Sequence, residues 1–202
     1  MKCETIDFGD NRVIKIIDNA VDTSTQIDLY YQCCMAPYRI SNSCRKEVQG
    51  ISDRRLKCDI ENNHPIVEDL LREGTNSRKV IDENISNTLY GYTRAYVNLG
   101  IHGDVNQMHT DCRKIVKSIT LLYYANRHWE YNWGGHTMFY DDDGNVKKTV
   151  EVKPGRIVIF DGSIPHTVMP MNIRSSPVYR FTIALKWESL KNSPHFKDQL
   201  KK

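Results

Sequence analysis

The chain is 202 residues long, 40% hydrophobic and 26% charged, a balance that supports a packed core and argues against a disordered chain. Its 28 basic and 25 acidic residues leave a net charge of +3, and the last fourteen positions, 189–202, hold four Lys and one Asp, which accounts for all of it. A body without net charge gives no case for a nucleic-acid groove, and no run approaches the roughly eighteen apolar residues of a membrane-spanning helix.

The segment from Met1 to Asp7 is polar and acidic where a secretory signal is apolar, so an intracellular, cytoplasmic protein is expected. The cysteines Cys3, Cys33, Cys34, Cys44, Cys58 and Cys112 contain no C-x-x-C pair, so free thiols are expected rather than a zinc ribbon. Residues 11–18 (N-R-V-I-K-I-I-D) read as a strand. Thr23-Ser24-Thr25-Gln26 fits a capping box that opens a helix running to about Met35. A second helix is predicted from His64-Pro65, because proline suits the first helical position. Glu68 and Asp69 complement its dipole, Ile66, Leu70 and Leu71 give it an apolar face, and Gly74 ends it. A third helix is predicted over residues 77–85.

From about Thr88 the pattern turns to strands, at 89–98, 117–124, 136–140, 147–152, 156–160, 165–169 and 178–187. The runs D-D-D-G-N (141–145), Pro154-Gly155 and Asp161-Gly162 mark turns between them. Short strands at this spacing predict an antiparallel sandwich or barrel, completed by one or two strands of the first half and covered on one outer face by its helices. One domain is expected, with residues 1–88 as cover, 89–188 as core and 189–202 as a basic tail.

His109-Thr110-Asp111, His166 and Arg180 are the candidate chemical residues. On a strand, positions i and i+2 share a face, so His109 and Asp111 can converge on one ion. Two histidines and a carboxylate form the facial triad of non-haem Fe(II) oxygenases. H-x-D is a common pair, and His102-Gly103-Asp104 is a second instance; its glycine suggests a loop. Taken singly, His166 reads as a hydrogen-bonded structural histidine and Arg180 as a surface ion-pair partner.

The surrounding text is more specific. R-A-Y-V-N-L-G-I-H-G-D-V-N-Q-M-H-T-D (94–111), I-T-L-L-Y-Y-A-N (119–126), W-E-Y-N-W-G-G-H-T-M-F-Y (129–140), V-K-P-G-R-I-V-I-F-D-G-S-I-P-H-T-V (152–168) and Y-R-F-T-I-A-L-K-W (179–187) occur in this order. Together they resemble the Fe(II)/2-oxoglutarate-dependent oxygenases, in the prolyl-4-hydroxylase-like branch of bacterial and phage type. The resemblance covers about half the chain. It implies a double-stranded β-helix (jelly roll) core, with Fe(II) and 2-oxoglutarate as cofactors. It implies that His109, Asp111 and His166 bind the iron and that Arg180 takes the 5-carboxylate of 2-oxoglutarate, a fork onto a carboxylate. Tyr124 matches a tyrosine that donates to that carboxylate, Thr137 matches a pocket position after the paired glycines, and Tyr96, with Asn98 on its face, matches a position near 2-oxoglutarate. Thr120 and Leu122 share the face of Tyr124 and are expected to line the same pocket.

Some positions depart from the family pattern. His136 stands where the family has glutamate, and a changed contact outside the ligand set is expected. The segment M-N-I-R-S-S-P (171–177) lengthens the interval between His166 and Arg180, which makes Arg174 a rival anchor. Trp187 falls seven residues after Arg180 rather than six, which puts a pocket role in doubt. Trp129, Trp133, Phe139 and Tyr140 are read as core residues near the pocket mouth.

The implied reaction hydroxylates an unactivated C–H bond while 2-oxoglutarate and O₂ become succinate and CO₂. The branch suggests a prolyl residue of a peptide or protein. A free amino acid, another small metabolite, a modified base, and a non-catalytic cupin-like module remain as alternatives, because fold does not fix substrate. Residues 36–62 are a candidate flap over the site. No membrane or nucleic-acid partner is expected, and the oligomeric state is left open.

Overall fold

The computed structural model describes residues 1–41, 55–104, 106–172 and 179–192. In chain order these form β1 (Lys2–Asp7), β2 (Val13–Asp18), α1 (Thr23–Met35), β3 (Arg39–Ser41), β4 (Arg55–Ile60), α2 (Pro65–Leu71), α3 (Asn76–Asn84), β5 (Tyr90–Gly100), β6 (Ser118–Tyr124), β7 (Thr137–Tyr140), β8 (Val146–Val150), β9 (Ile157–Asp161), β10 (His166–Val168) and β11 (Arg180–Ser189).

An eight-stranded antiparallel sheet runs β1-β2-β9-β6-β11-β5-β4-β3, and a three-stranded sheet runs β10-β7-β8. The two sheets make a jelly roll. The first half contributes four strands to the large sheet, two at each edge, where one or two were expected. β3, at the sheet edge, and β4, paired between β3 and β5, fall within the candidate flap; its residues 42–54, Cys44 among them, lie outside the described residues.

The helices cover the outer face of the large sheet, as expected. Leu29 and Cys33 of α1, Ile66 and Leu70 of α2, and Val80 and Ile81 of α3 form one apolar cluster with Val97, Leu121, Tyr123, Ile183, Leu185 and Trp187. A second cluster, with Ile14, Ile16, Phe139, Val158, Phe160 and Ile164, lies between the two sheets. The interior of the roll is thus closed by apolar packing on the β2–β9 side, and polar residues take the β5–β11–β6 side.

Helix ends follow local chemistry. His64 accepts a hydrogen bond at Nδ1 from Ile66 N (3.2 Å) with Pro65 at the first turn, and Thr75 caps α3 by accepting from Arg78 N (3.2 Å). α2 ends at Leu71, before Gly74, whose φ of +80° serves the turn between the helices. The predicted capping box does not form. Asp22 is the N-cap of α1, and its carboxylate instead accepts from Asn76 N (3.0 Å) and Nδ2 (2.7 Å), tying α1 to α3. Gln26 donates to the Val21 carbonyl at 2.8 Å. The Asp22 carboxylate is thus engaged in a tertiary contact, while the Gln26 side chain bonds within its own turn.

Candidate metal centre

His109 and His166 meet across a single antiparallel bridge, with His109 N donating to His166 O (3.0 Å) and His166 N to His109 O (2.8 Å). Their rings lie 4.4 Å apart, centroid to centroid. Asp111 reaches the same point differently from the expected strand. Asp111 N and Cys112 N both donate to the Gly162 carbonyl, at 2.7 and 3.1 Å, so the chain bends after His109 instead of extending. A Cβ at position 162 would run into the Ser118 hydroxyl and lie 3.3 Å from both Asp111 Cβ and Cys112 Sγ, so the approach requires glycine.

One ligand atom each from His109, Asp111 and His166 lies within 4.8 Å of the others. Among the described residues this is the only group of three such donors. His109 Nδ1 lies 3.1 Å from Gln107 O, and His166 Nδ1 lies 2.9 Å from Ile164 O. A carbonyl only accepts, so each Nδ1 carries the proton and each Nε2 keeps a lone pair for an ion. Phe160 and Phe139 flank His166, with ring centroids at 4.9 and 5.9 Å. His102 and Asp104 are not part of this group; Asp104 Oδ2 accepts from Ile101 N at 2.8 Å within its own turn.

The Asp111 carboxylate is buried and doubly held. Thr120 donates to Oδ2 at 2.6 Å, and Lys186 ion-pairs with Oδ1. Burial by itself raises the carboxyl, but His166 when its ring is protonated, the Lys186 ammonium and the donor bonds from Lys186 and Thr120 outweigh it and hold it well below the usual carboxylate range.

A cavity opens from this cluster, lined also by Tyr96, Asn98, Thr120, Leu122, Thr137 and Arg180. Arg180 is 4% exposed. Its Nη2 donates to Thr137 Oγ1 at 3.3 Å, Thr137 Oγ1 is 2.8 Å from the Tyr124 hydroxyl, and its Cζ sits 5.3 Å from the Tyr124 ring centroid. Burial lowers the guanidinium and raises the Tyr124 phenol. Arg180 Nε is buried without a hydrogen-bond partner, and among the described residues no carboxylate ion-pairs with this side chain. An uncompensated buried cation is costly, so the pocket is chemically fitted to an anion at this end. Gly135, at φ +70°, allows the approach, because a Cβ there would be 3.0 Å from Arg180 Cδ.

Every residue expected around the cosubstrate is therefore brought to one cavity or its wall. His136 stays outside the ligand group; burial lowers its imidazole pKa, and its Nδ1 is buried without a partner. Trp187 does not reach the pocket. Seven residues after Arg180, it falls on the outer face by simple alternation along β11, edge-on to Tyr92 with centroids 5.5 Å apart. Phe139 is core, and Trp129 donates Nε1–H to Gly134 O at 3.1 Å beside the Arg180 end. Arg174 lies outside the described residues. Lys186 is the site residue that sequence reasoning missed. Its signal was present: counting by two along the strand from Arg180 passes Thr182 and Ala184 and arrives at Lys186.

Residues 90–187 match the family model described as the 2OG-Fe(II) oxygenase superfamily. The chain belongs to this superfamily. Its cofactors are thus Fe(II) and 2-oxoglutarate, and the His/Asp/His donor set, with the unpaired Arg180 across the same cavity, fits both. A prolyl-4-hydroxylase from Pseudomonas putida is similar in structure, with 18% identity, TM-score 0.62, and coverage of 87% of this chain and 91% of that one. A prolyl hydroxylase from Trichoplax adhaerens, solved with a hypoxia inducible factor peptide fragment, shows 18% identity, TM-score 0.65 and coverage of 87% and 83%. HygX from Streptomyces hygroscopicus, solved with nickel and 2-oxoglutarate, shows 8% identity, TM-score 0.63 and coverage of 88% and 83%. At these identities the likeness is one of fold. A search of curated protein sequences gives no match. Among the described residues, no helix is long and apolar enough to cross a membrane.

Proposed function

We propose that this 2-oxoglutarate dioxygenase hydroxylates an unactivated C–H bond of a prolyl residue in a peptide or protein, with His109, Asp111 and His166 as its iron ligands. The observation that carries the site assignment is the placement of a buried, ion-pair-free Arg180 and a His/Asp/His cluster on the same cavity. Bound iron and 2-oxoglutarate together supply the activation of O₂ and the oxidative decarboxylation that yields succinate and CO₂. The protein's own residues do the rest. The two Nε2 atoms and one Asp111 oxygen hold the ion on one side. Arg180 forks onto the 5-carboxylate, and Thr137 and Tyr124 offer hydroxyl donors to the same group. Tyr96 and Asn98 border the cosubstrate, while Leu122, Phe160 and Val168 keep the wall near the iron apolar.

The peptide reading is supported by the Trichoplax neighbour, which is seen with a peptide fragment. A small-molecule substrate is the second reading, because HygX is also seen with hygromycin B. The site assignment is tested by anaerobic titration with Fe(II) and 2-oxoglutarate, following the weak visible metal-to-ligand charge-transfer band. The band is expected in wild type and absent in His109→Ala and His166→Ala. A wild-type protein without the band at saturating iron would sink the assignment and favour a non-catalytic cupin-like module. Prolyl peptides, free amino acids and aminoglycosides are then compared by succinate release, and proline-independent turnover would overturn the prolyl reading.

A further inference from the structure

The inner face of β11 carries a cation at each end, Arg180 and Lys186, with the smaller Thr182 and Ala184 between them lining the cavity. Arg180 serves the anion at its end. Lys186 is as deeply placed: its side chain is 6% exposed and that of Asp111 is 7% exposed. Its Nζ engages Asp111 Oδ1 and lies 5.6 Å from the centroid of the Tyr96 ring, a face that favours a desolvated ammonium. The other oxygen, Oδ2, accepts from Thr120 and is the one that faces His166 Nε2, at 3.9 Å. The carboxylate is thus turned so that one oxygen faces His166 and the other is engaged by the Lys186 side chain.

We propose that Lys186 is a positioning residue of the metal site, a resident counter-ion that fixes Asp111 through Oδ1 and sets the site's charge in favour of a dianionic cosubstrate at the expense of metal affinity. The proposal rests on the assignment of His109, Asp111 and His166 as iron ligands. Its physical basis is charge balance in a buried site. A divalent ion, the Asp111 carboxylate, the Lys186 ammonium and the Arg180 guanidinium sum to three positive charges, of which the two carboxylates of 2-oxoglutarate offset two. Removal of the ammonium leaves two positive charges to attract the dianion. Asp111 would then bind a cation more tightly, since an unpaired buried carboxylate has more to gain from an ion. The metal-loaded site would hold the dianion more weakly.

A residue that only supports the fold would, when removed, weaken both ligands together, so the two affinities are measured separately. Mn(II) binding is followed by the EPR signal of free Mn(II), and 2-oxoglutarate binding to the Fe(II)-loaded protein by the charge-transfer band under argon. Lys186→Met is expected to bind Mn(II) about tenfold more tightly and 2-oxoglutarate about tenfold more weakly, the scale of one screened unit charge at close range. Lys186→Arg keeps the charge and is expected to restore the wild-type order of both affinities. Parallel weakening of the two ligands, or no change in either, overturns the proposal. Lys186→Gln is measured beside the Met variant; if both fail to fold while Lys186→Arg folds, the lysine is a structural ion-pair partner and the proposal also falls. A wild-type protein that binds neither Mn(II) nor 2-oxoglutarate would instead remove the ligand assignment beneath it.

Discussion

Strand β11 gives Phe181, Ile183, Leu185 and Trp187 to one face of the large sheet and Arg180, Thr182, Ala184 and Lys186 to the other. The same ten residues therefore meet two environments. On the outer face three helices close over aliphatic and aromatic side chains, and each apolar group removed from water stabilises the fold. On the inner face two cations are buried, one of them without a carboxylate partner, and a carboxylate is held ready for an ion. Those features cost stability. The outer face offsets that cost, which is how a short strand can present costly polar groups at fixed positions.

This contrast is open to direct attack. The largest effect is expected from Arg180→Met. It should raise the KM for 2-oxoglutarate by at least about 100-fold, because a buried bidentate partner is lost. It should also leave the thermal midpoint of the ligand-free protein unchanged or higher, since an unpaired buried charge is replaced by an apolar chain. A fall of several degrees in that midpoint would show that Arg180 supports the fold. On the opposite face, Ile183→Ala should lower unfolding free energy by about 2–5 kcal/mol in urea melts. Its Mn(II) affinity at a temperature where it is folded should match wild type; weaker Mn(II) binding would mean that the two faces are not separable.

The adjacent tyrosines sharpen the comparison. Tyr123 is fully buried in the outer cluster with its hydroxyl unpaired, whereas the Tyr124 hydroxyl lies 2.8 Å from Thr137 Oγ1 at the Arg180 end of the cavity. Tyr123→Phe should stabilise the protein by about 1 kcal/mol, since a buried unsatisfied hydroxyl is removed. Tyr124→Phe should instead weaken 2-oxoglutarate binding several-fold. Exchange of these two phenotypes would contradict the assigned faces. The smallest effect belongs to the surface of α3, where Lys79 and Glu83 approach to 3.9 Å with both side chains more than half exposed. Lys79→Ala should change stability by less than about 0.5 kcal/mol, and a larger loss would show that exposed pairs matter here.

Much of this was legible in the chain. Period-two alternation located the later strands to within a few residues, and His64-Pro65 announced the start of α2. The motifs around His109, His166 and Arg180 pointed to the site through their resemblance to the family; taken singly, the same residues read as structural. The errors have one origin. The capping box predicted for Thr23 and Gln26 does not form; Asp22 takes the N-cap position instead, and its carboxylate serves Asn76, 54 residues away. Asp111 leaves the strand geometry because Gly162 takes its amide. In each case a partner distant in sequence outcompeted the local rule.

The sequence by itself determined the later strands and the covering helices, which follow from periodicity and helix-end chemistry, and its motifs supplied residue types that suit a ferrous ion and a dicarboxylate. Only the tertiary structure decided that His109 and His166 would share one bridge, that Arg180 would lie buried without an ionic partner, and that Lys186 would meet Asp111. Those outcomes depend on sheet register, and register is set by packing across the whole roll rather than by any residue's neighbours in the chain.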